Sequence, residues 1–221
     1  MATDMTELYQ IYYDETHLQK IFPFSIPYYN ETLTIFFESA VIKDIVLASK
    51  ADKVGVASWK LKDKLRSRVG LRVPLSLEVL NSDYDILSLT KNGKKHTMLA
   101  HLYRWHPSSL QAMTLLWQKL GLKLVGEVKN PIYQNHYVAK REIYQDYVNN
   151  FLNPAMEVIK SDEQLNKLMM SNSSYGKLNR EADLRSVKAK LGLDFYPLAP
   201  FVLERCPSCY YEMKGYKISY L

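Results

Sequence analysis

The apolar positions change period along the chain, and the changes mark out its elements. Glu7–Tyr13 (ELYQIYY) concentrates aromatic and β-branched residues and predicts a buried first strand. Ile21–Asn30 carries two prolines and is expected to be irregular. In Ser39–Ala51, Val41, Ile45 and Ala48 stand at helical spacing, with Ser39 placed to cap. Lys53–Ser58 (KVGVAS) is short and apolar and predicts a second strand; a basic helix ending near Gly70 should follow it. Asp85–Leu89 predicts a third strand, followed by a polar turn over Lys91–Lys95. Pro107 should open a helix whose inner face holds Leu110, Met113, Trp117 and Leu120, with Gly121 as its C-cap.

Beyond that helix, Ile132–Ala139 is strand-like, and Lys140–Phe151 spaces Ile143, Tyr147 and Phe151 four apart before Pro154 interrupts. Ser171–Gly176 should be a loop, and helices near Arg180–Leu191 and Pro200–Met213 should precede a last strand, Lys217–Tyr220. Strands alternating with helices predict an α/β fold with a mainly parallel sheet flanked by helices. With no linker or repeat in sight, residues 1–221 are expected to form a single domain. Ligands of such sheets sit beyond the carboxyl ends of the strands, which directs attention to Asp14, Ser58, Trp59, Lys60 and Thr90.

Composition narrows the classes. The 221 residues are 47% hydrophobic and 24% charged, a balance that argues against a disordered or fibrous chain. Two cysteines exclude a disulfide scaffold and a four-thiolate zinc site. The most apolar stretch, Thr34–Ala51, contains Glu38, Lys43, Asp44 and Lys50, so no membrane span is expected. The acidic start MATDMTELYQ lacks the basic region of a signal peptide, and a cytoplasmic location is expected. The net charge of +6 has one local concentration: Lys60, Lys62, Lys64, Arg66, Arg68 and Arg72 against Asp63 alone. That run is either a solvated helix surface or a site for phosphate or an acidic membrane.

Motifs with chemistry are few. Walker A, Rossmann, HExxH and GxSxG patterns are absent. Cys206-Pro-Ser-Cys209 matches CxxC but stands near the C-terminus, where incidental helix cysteines explain it as well as redox chemistry does. His101 and His106 are five apart, too far round a helix for one metal; either could serve a diphosphate or a proton transfer. Asp83-Tyr-Asp85 is a DxD, whose paired carboxylates suit Mn2+ or Mg2+ bridging a nucleotide diphosphate. Glu204 and Arg205 follow the apolar run Leu198–Leu203 and must be paired if buried. They would either lock the last helix to the sheet or line the crevice.

Five segments taken in order carry a more specific signal: LYQIYYDE (Leu8–Glu15), IPYYN (Ile26–Asn30), ADKVGVASWKLKDKL (Ala51–Leu65), NHYVAKREIYQDYVNNFL (Asn135–Leu152) and PFVLERCPSCYYEMKGYKI (Pro200–Ile218). Together they resemble the capsular-polysaccharide glycosyltransferase-like proteins of bacterial surface-glycan gene clusters, which are small GT-A-type domains. The resemblance implies a GT-A-like fold and transfer of a hexosyl group from a nucleotide-activated sugar to a glycan or lipid-linked acceptor. That chemistry belongs to capsule or lipopolysaccharide assembly, inside the cell or peripherally at the inner face of the membrane.

On this reading Asp14, Ser58, Lys60, His101, Arg104 and Arg205 would bind the donor, Glu204 or Asp85 would act as base, and Asp83 with Asp85 would hold the cation. The alternatives are a non-catalytic glycan-binding or assembly protein of the same fold and, on the strength of a pI near 9.1, a basic nucleic-acid-binding module, which no recognition motif supports.

Overall fold

The computed structural model describes residues 5–66, 74–90, 98–174 and 181–221. The first strand, β1 (Thr6–Tyr12), runs into a 3-10 helix at Glu15–Lys20 and then an edge strand, β2 (Ile26–Tyr29). Helix α1 (Glu38–Ala48) leads to β3 (Lys53–Ser58), followed by the short helices α2 (Leu61–Arg66) and α3 (Leu77–Leu80) and by β4 (Ile86–Ser88). Helices α4 (Met98–Trp105) and α5 (Ser109–Lys119) precede β5 (Tyr137–Lys140). Then come α6 (Arg141–Tyr147), α7 (Asn153–Ser161), α8 (Glu163–Met169), α9 (Glu181–Leu191), α10 (Ala199–Leu203), α11 (Cys206–Lys214) and β6 (Ile218–Tyr220).

The strands form one six-stranded sheet in the order β2-β1-β3-β5-β4-β6. It is mixed rather than mainly parallel: β5 runs antiparallel to both β3 and β4, while β1–β2, β1–β3 and β4–β6 are parallel. The reversal follows from the route of the chain. After α5 it returns to the carboxyl end of β4, where Leu89 N–H bonds His136 O, so β5 enters the sheet from that end.

Gly55, in the middle of β3, permits the close approach of β5. A Cβ there would lie 2.6 Å from Val138 Cγ2 and 2.9 Å from Leu8 Cδ1. One sheet face carries the larger core, including Ile11, Ile42, Val54, Trp117, Tyr144 and Phe151. The other carries a thinner layer of Leu8, Ala57, Leu61, Leu80, Tyr84 and Val138.

Several sequence expectations change for identifiable reasons. Ile26–Tyr29 is extended and paired despite Pro27, because an edge strand needs ladder bonds on one side only. Ser39 lies inside α1; Phe37 occupies the cap position without a side-chain bond. Pro154 does not end the helix begun at Arg141. A π-type turn over Val148–Leu152 lets Asn153 N–H reach Val148 O, and the proline falls in the first turn of α7, where its missing N–H costs nothing. Conversely, Pro200–Met213 is two helices broken at Glu204-Arg205, since Pro207 opens α11. The helices α3, α4, α7 and α8 are additions to the sequence reading. The basic segment beyond Arg66 and the turn at Lys91–Lys95 lie outside the described residues, as do Tyr175 and Gly176 of the Ser171–Gly176 loop.

Candidate functional site

The carboxyl ends of β1, β2, β3 and β4 and the amino end of β5 share one edge of the sheet. Three of the predicted residues stand there by strand position. Asp14 follows β1, but its carboxylate is occupied: Oδ1 accepts from Thr16 N–H at 2.9 Å and from Thr16 Oγ1 at 2.6 Å, capping the 3-10 helix. Those two bonds hold its pKa below the usual carboxylate range. Ser58 closes β3, and its Oγ lies 3.0 Å from Nε2 of the buried His136. Lys60 leads into α2, with Nζ 4.9 Å from the centre of the Trp59 ring. The same indole stacks on His17 at 3.8 Å and takes Lys20 Nζ at 4.7 Å.

Glu204 and Arg205 reach this edge from the break between α10 and α11. Arg205 is buried, donates from Nη1 to Phe201 O and lies 3.7 Å from Glu204 Oε2. The Glu204 side chain keeps 20% of its surface open. Burial pushes its pKa up and the nearby Glu38 carboxylate adds to the rise; Arg205, Lys64 and Lys60 oppose it. A carboxylate so placed holds its proton more readily than an ordinary surface glutamate.

The structure adds residues that the sequence reading passed over. Glu38, the first residue of α1, lies within charge range of Glu204 and beside the Tyr13 hydroxyl. Lys64 donates from Nζ to Gln134 Oε1. Tyr13 Oη and Asn30 Oδ1 are both buried without a hydrogen-bond partner among the described residues, and Asn30 is only 1% exposed. Among the described residues, two of the three non-glycine positions with positive φ flank the cluster: Phe37 (φ 50°) next to Glu38, and Gln134 (φ 64°) on Lys64. Strain of this kind is held in place only by surrounding structure and concentrates where geometry serves a ligand. Nothing in the sequence marks Phe37 or Gln134, because neither residue type signals a positive φ.

The remaining predicted residues stand elsewhere. His101, on α4, packs its ring 4.4 Å from Tyr133, whose carbonyl accepts from Thr90 Oγ1. It therefore borders the edge through the 131–136 segment. Arg104 is exposed beside Trp105. Asp83 and Asp85 precede β4, at the opposite edge of the sheet, and the Asp85 carboxylate lies 2.7 Å from Lys140 Nζ. The structure thus separates the DxD from Glu204. In this position, with Asp85 paired to a lysine, the two carboxylates do not fit a cation bridging a diphosphate at the carboxyl edge. Among the described residues no group of three or more His, Cys, Asp or Glu side chains is arranged to hold a metal.

Cys206 and Cys209 do open a helix, but both are fully buried. Burial raises both thiols, to about 12 for Cys209, so neither is a ready thiolate. Among the described residues, no helix is long and apolar enough to cross a membrane. Compared with known proteins, the chain matches no family model, no curated protein and no solved structure.

Proposed function

We propose that the carboxyl edge of the sheet is the active site of a glycosyltransferase that uses a nucleotide-activated sugar. One observation carries the reading. Glu204 is a partly open carboxylate with an elevated pKa, set within charge range of Lys60 and Lys64 at the strand ends where α/β sheets bind ligands. Displacement at the anomeric carbon releases a nucleoside diphosphate and, in its inverting course, requires a base for the acceptor hydroxyl. Glu204 supplies that base, and its raised pKa improves its match to a proton leaving near neutral pH. Lys60 and Lys64 offset the charge that builds on the departing diphosphate. Trp59 offers an aromatic surface beside them. Arg205, tied to Phe201 O, holds Glu204 in place.

The sequence resemblance to surface-glycan glycosyltransferases supports the same chemistry, a GT-A-like assignment of the mixed α/β sheet and a sugar-polymer acceptor. No step is routed through Asp83 and Asp85. Their distance from Glu204 also favours a second reading, a protein that binds the sugar nucleotide or glycan without turning it over.

Isothermal titration with UDP-, GDP- and CMP-sugars, with and without Mn2+, tests the site, and release of nucleoside diphosphate in the presence of acceptor tests transfer. Binding of one donor class that Lys60→Ala and Lys64→Ala each weaken is the expected result. Absence of binding across the panel overturns the enzymatic reading, and binding without turnover selects the second.

A further inference from the structure

We infer that Tyr13 and Asn30 form a subsite for a pair of neighbouring hydroxyl groups on the ligand. The inference rests on the reading of the carboxyl edge as the ligand site. It goes further by assigning the groups that recognise a polyol.

Tyr13 directly follows the last residue of β1, and Asn30 the last of β2; Asn30 N–H bonds Tyr12 O, so the two positions are adjacent by sheet register. Tyr13 Oη and Asn30 Oδ1 are each buried and, among the described residues, each lack a hydrogen-bond partner. Such atoms are costly to bury, and most are satisfied in native proteins. Here they stand together. The Asn30 amide and the Glu38 carboxylate both lie close enough to act on the Tyr13 phenol, but neither meets it in full hydrogen-bond geometry. Asn30 Nδ2 is already directed to Phe37 O at 3.4 Å, which leaves Oδ1 as the inward acceptor.

The groups left to meet a ligand are the Tyr13 phenol, able to donate and accept, and the Asn30 oxygen, with the Glu38 carboxylate close by. The complementary group is one that both donates and accepts: a hydroxyl, or two on adjacent carbons. A metal cation fits poorly, since Glu38 and Glu204 face Lys60, Lys64 and Arg205 within the same charge range. A phosphate is opposed by the two carboxylates. Phe37, at φ 50° and ψ −125°, holds the turn that sets Glu38 at the start of α1, where the helix dipole favours its charge. The rim is open on the side of Glu38 and Glu204, both only partly buried. Vicinal hydroxyls have two sources in the proposed reaction: the ribose of the donor nucleotide and the pyranose ring of the acceptor.

The test combines Tyr13→Phe, which removes one oxygen and keeps the ring, with Asn30→Leu. Wild type and variants are titrated with the donor nucleotide sugar, its 2'-deoxyribose counterpart and a panel of methyl glycosides, while melting temperature is recorded. The expected result is that Tyr13→Phe melts no lower than wild type, because a buried unpaired hydroxyl is removed. Its affinity for the hydroxylated ligand should fall about tenfold, the equivalent of one hydrogen bond. If the deoxy nucleotide loses affinity for wild type and is indifferent to Tyr13→Phe, the subsite takes ribose; if a methyl glycoside behaves so against its deoxy analogue, it takes the acceptor.

Nucleotide-sugar and glycoside binding that both variants leave unchanged overturns the subsite while the proposed function stands. Glycoside binding that depends on Tyr13, without any nucleotide-sugar binding, removes the proposed function while the subsite stands. A lower melting temperature in Tyr13→Phe with unchanged affinities assigns the two atoms to internal structure and also overturns the inference.

Discussion

The two edges of the sheet carry similar residue types and use them differently. At the amino edge, Lys53 enters β3 almost wholly buried, donates to Ser82 O at 3.0 Å and Asn81 O at 3.5 Å, and lies over the Tyr84 ring. Asp85 meets Lys140, and Asp52 accepts from Met5 N–H. These groups have neighbours of the matching kind, and no described non-glycine residue there has positive φ. At the carboxyl edge, Glu38 adds to the cost of ionising Glu204, Tyr13 and Asn30 hold atoms without a hydrogen-bond partner among the described residues, and Phe37 and Gln134 are strained. A polar edge that satisfies itself is scaffold. One that leaves charges and hydroxyls incomplete is where we propose that a ligand binds.

The largest expected effect is on turnover. Glu204→Gln keeps shape and removes the proposed base, so transfer should fall about 100-fold or more. Stability should hold or rise. A raised pKa in the folded state means that the ionised carboxylate destabilises the fold above the unfolded value near 4.5, and the amide relieves that cost. Loss of activity together with a lowered melting temperature would make Glu204 a structural residue like Arg205 and erase the contrast between the edges.

The opposite edge gives the complementary result. Lys53→Met should leave the Asn81 and Ser82 carbonyls without their donor, at about 1–3 kcal/mol, measured as a lower denaturation midpoint. Donor affinity should not change. A drop in affinity would mean that the two edges are coupled through β3.

The fold was legible in the chain wherever one physical signal dominated. KVGVAS is β3 residue for residue, and ELYQIYY overlaps β1 almost completely, because buried strands need nothing beyond apolar runs. Boundaries set by proline were misread in both directions. Pro27 is tolerated by an edge and Pro154 by a π-type turn, while Pro207 breaks what periodicity alone reads as one helix. The direction of β5 was hidden, since YVAK reads the same whichever way it runs. The cluster at the carboxyl edge was only partly legible. Strand ends pointed to Ser58 and Lys60, and burial after an apolar run pointed to Glu204. Asn30, Glu38 and Gln134 are ordinary polar residues in sequence and gain meaning only through convergence from β2, α1 and the segment before β5.

A smaller, pH-dependent effect separates the carboxyl edge from the helices behind it. His106 is buried against Phe201, stacked at 4.1 Å, with Nδ1 3.1 Å from Ser173 O. Burial lowers its pKa to about 4, and nearby Arg205 adds to the fall. The unfolded chain, titrating near 6.5, binds the proton that the folded chain refuses. Stability is therefore present above about pH 6.5 and declines as pH falls toward 4, with uptake of about one proton on unfolding. His106→Leu should flatten that part of the stability–pH curve. A curve unchanged by the substitution would show that other groups, carboxylates of lowered pKa such as Asp14 among them, set the acid limb.

The smallest effect is expected where the sequence placed its metal. Asp85 and Lys140 form an ion pair whose side chains keep 37% and 36% of their surface open, so solvent competes with the bond and salt screens it. The pairing raises the Lys140 pKa through the bond to Asp85. Asp85→Asn should move the melting temperature by less than about 2 °C and leave donor affinity and its Mn2+ dependence unaltered. The pair stands a strand's length from Ser58, since Lys140 is in register with Lys53 at the far end of β3. Were Asp85→Asn to abolish Mn2+-dependent binding instead, Asp83 and Asp85 would have to bind the donor at the amino edge. The self-satisfied edge would then be the working one, and the assignment of roles to the two ends of the sheet would be reversed.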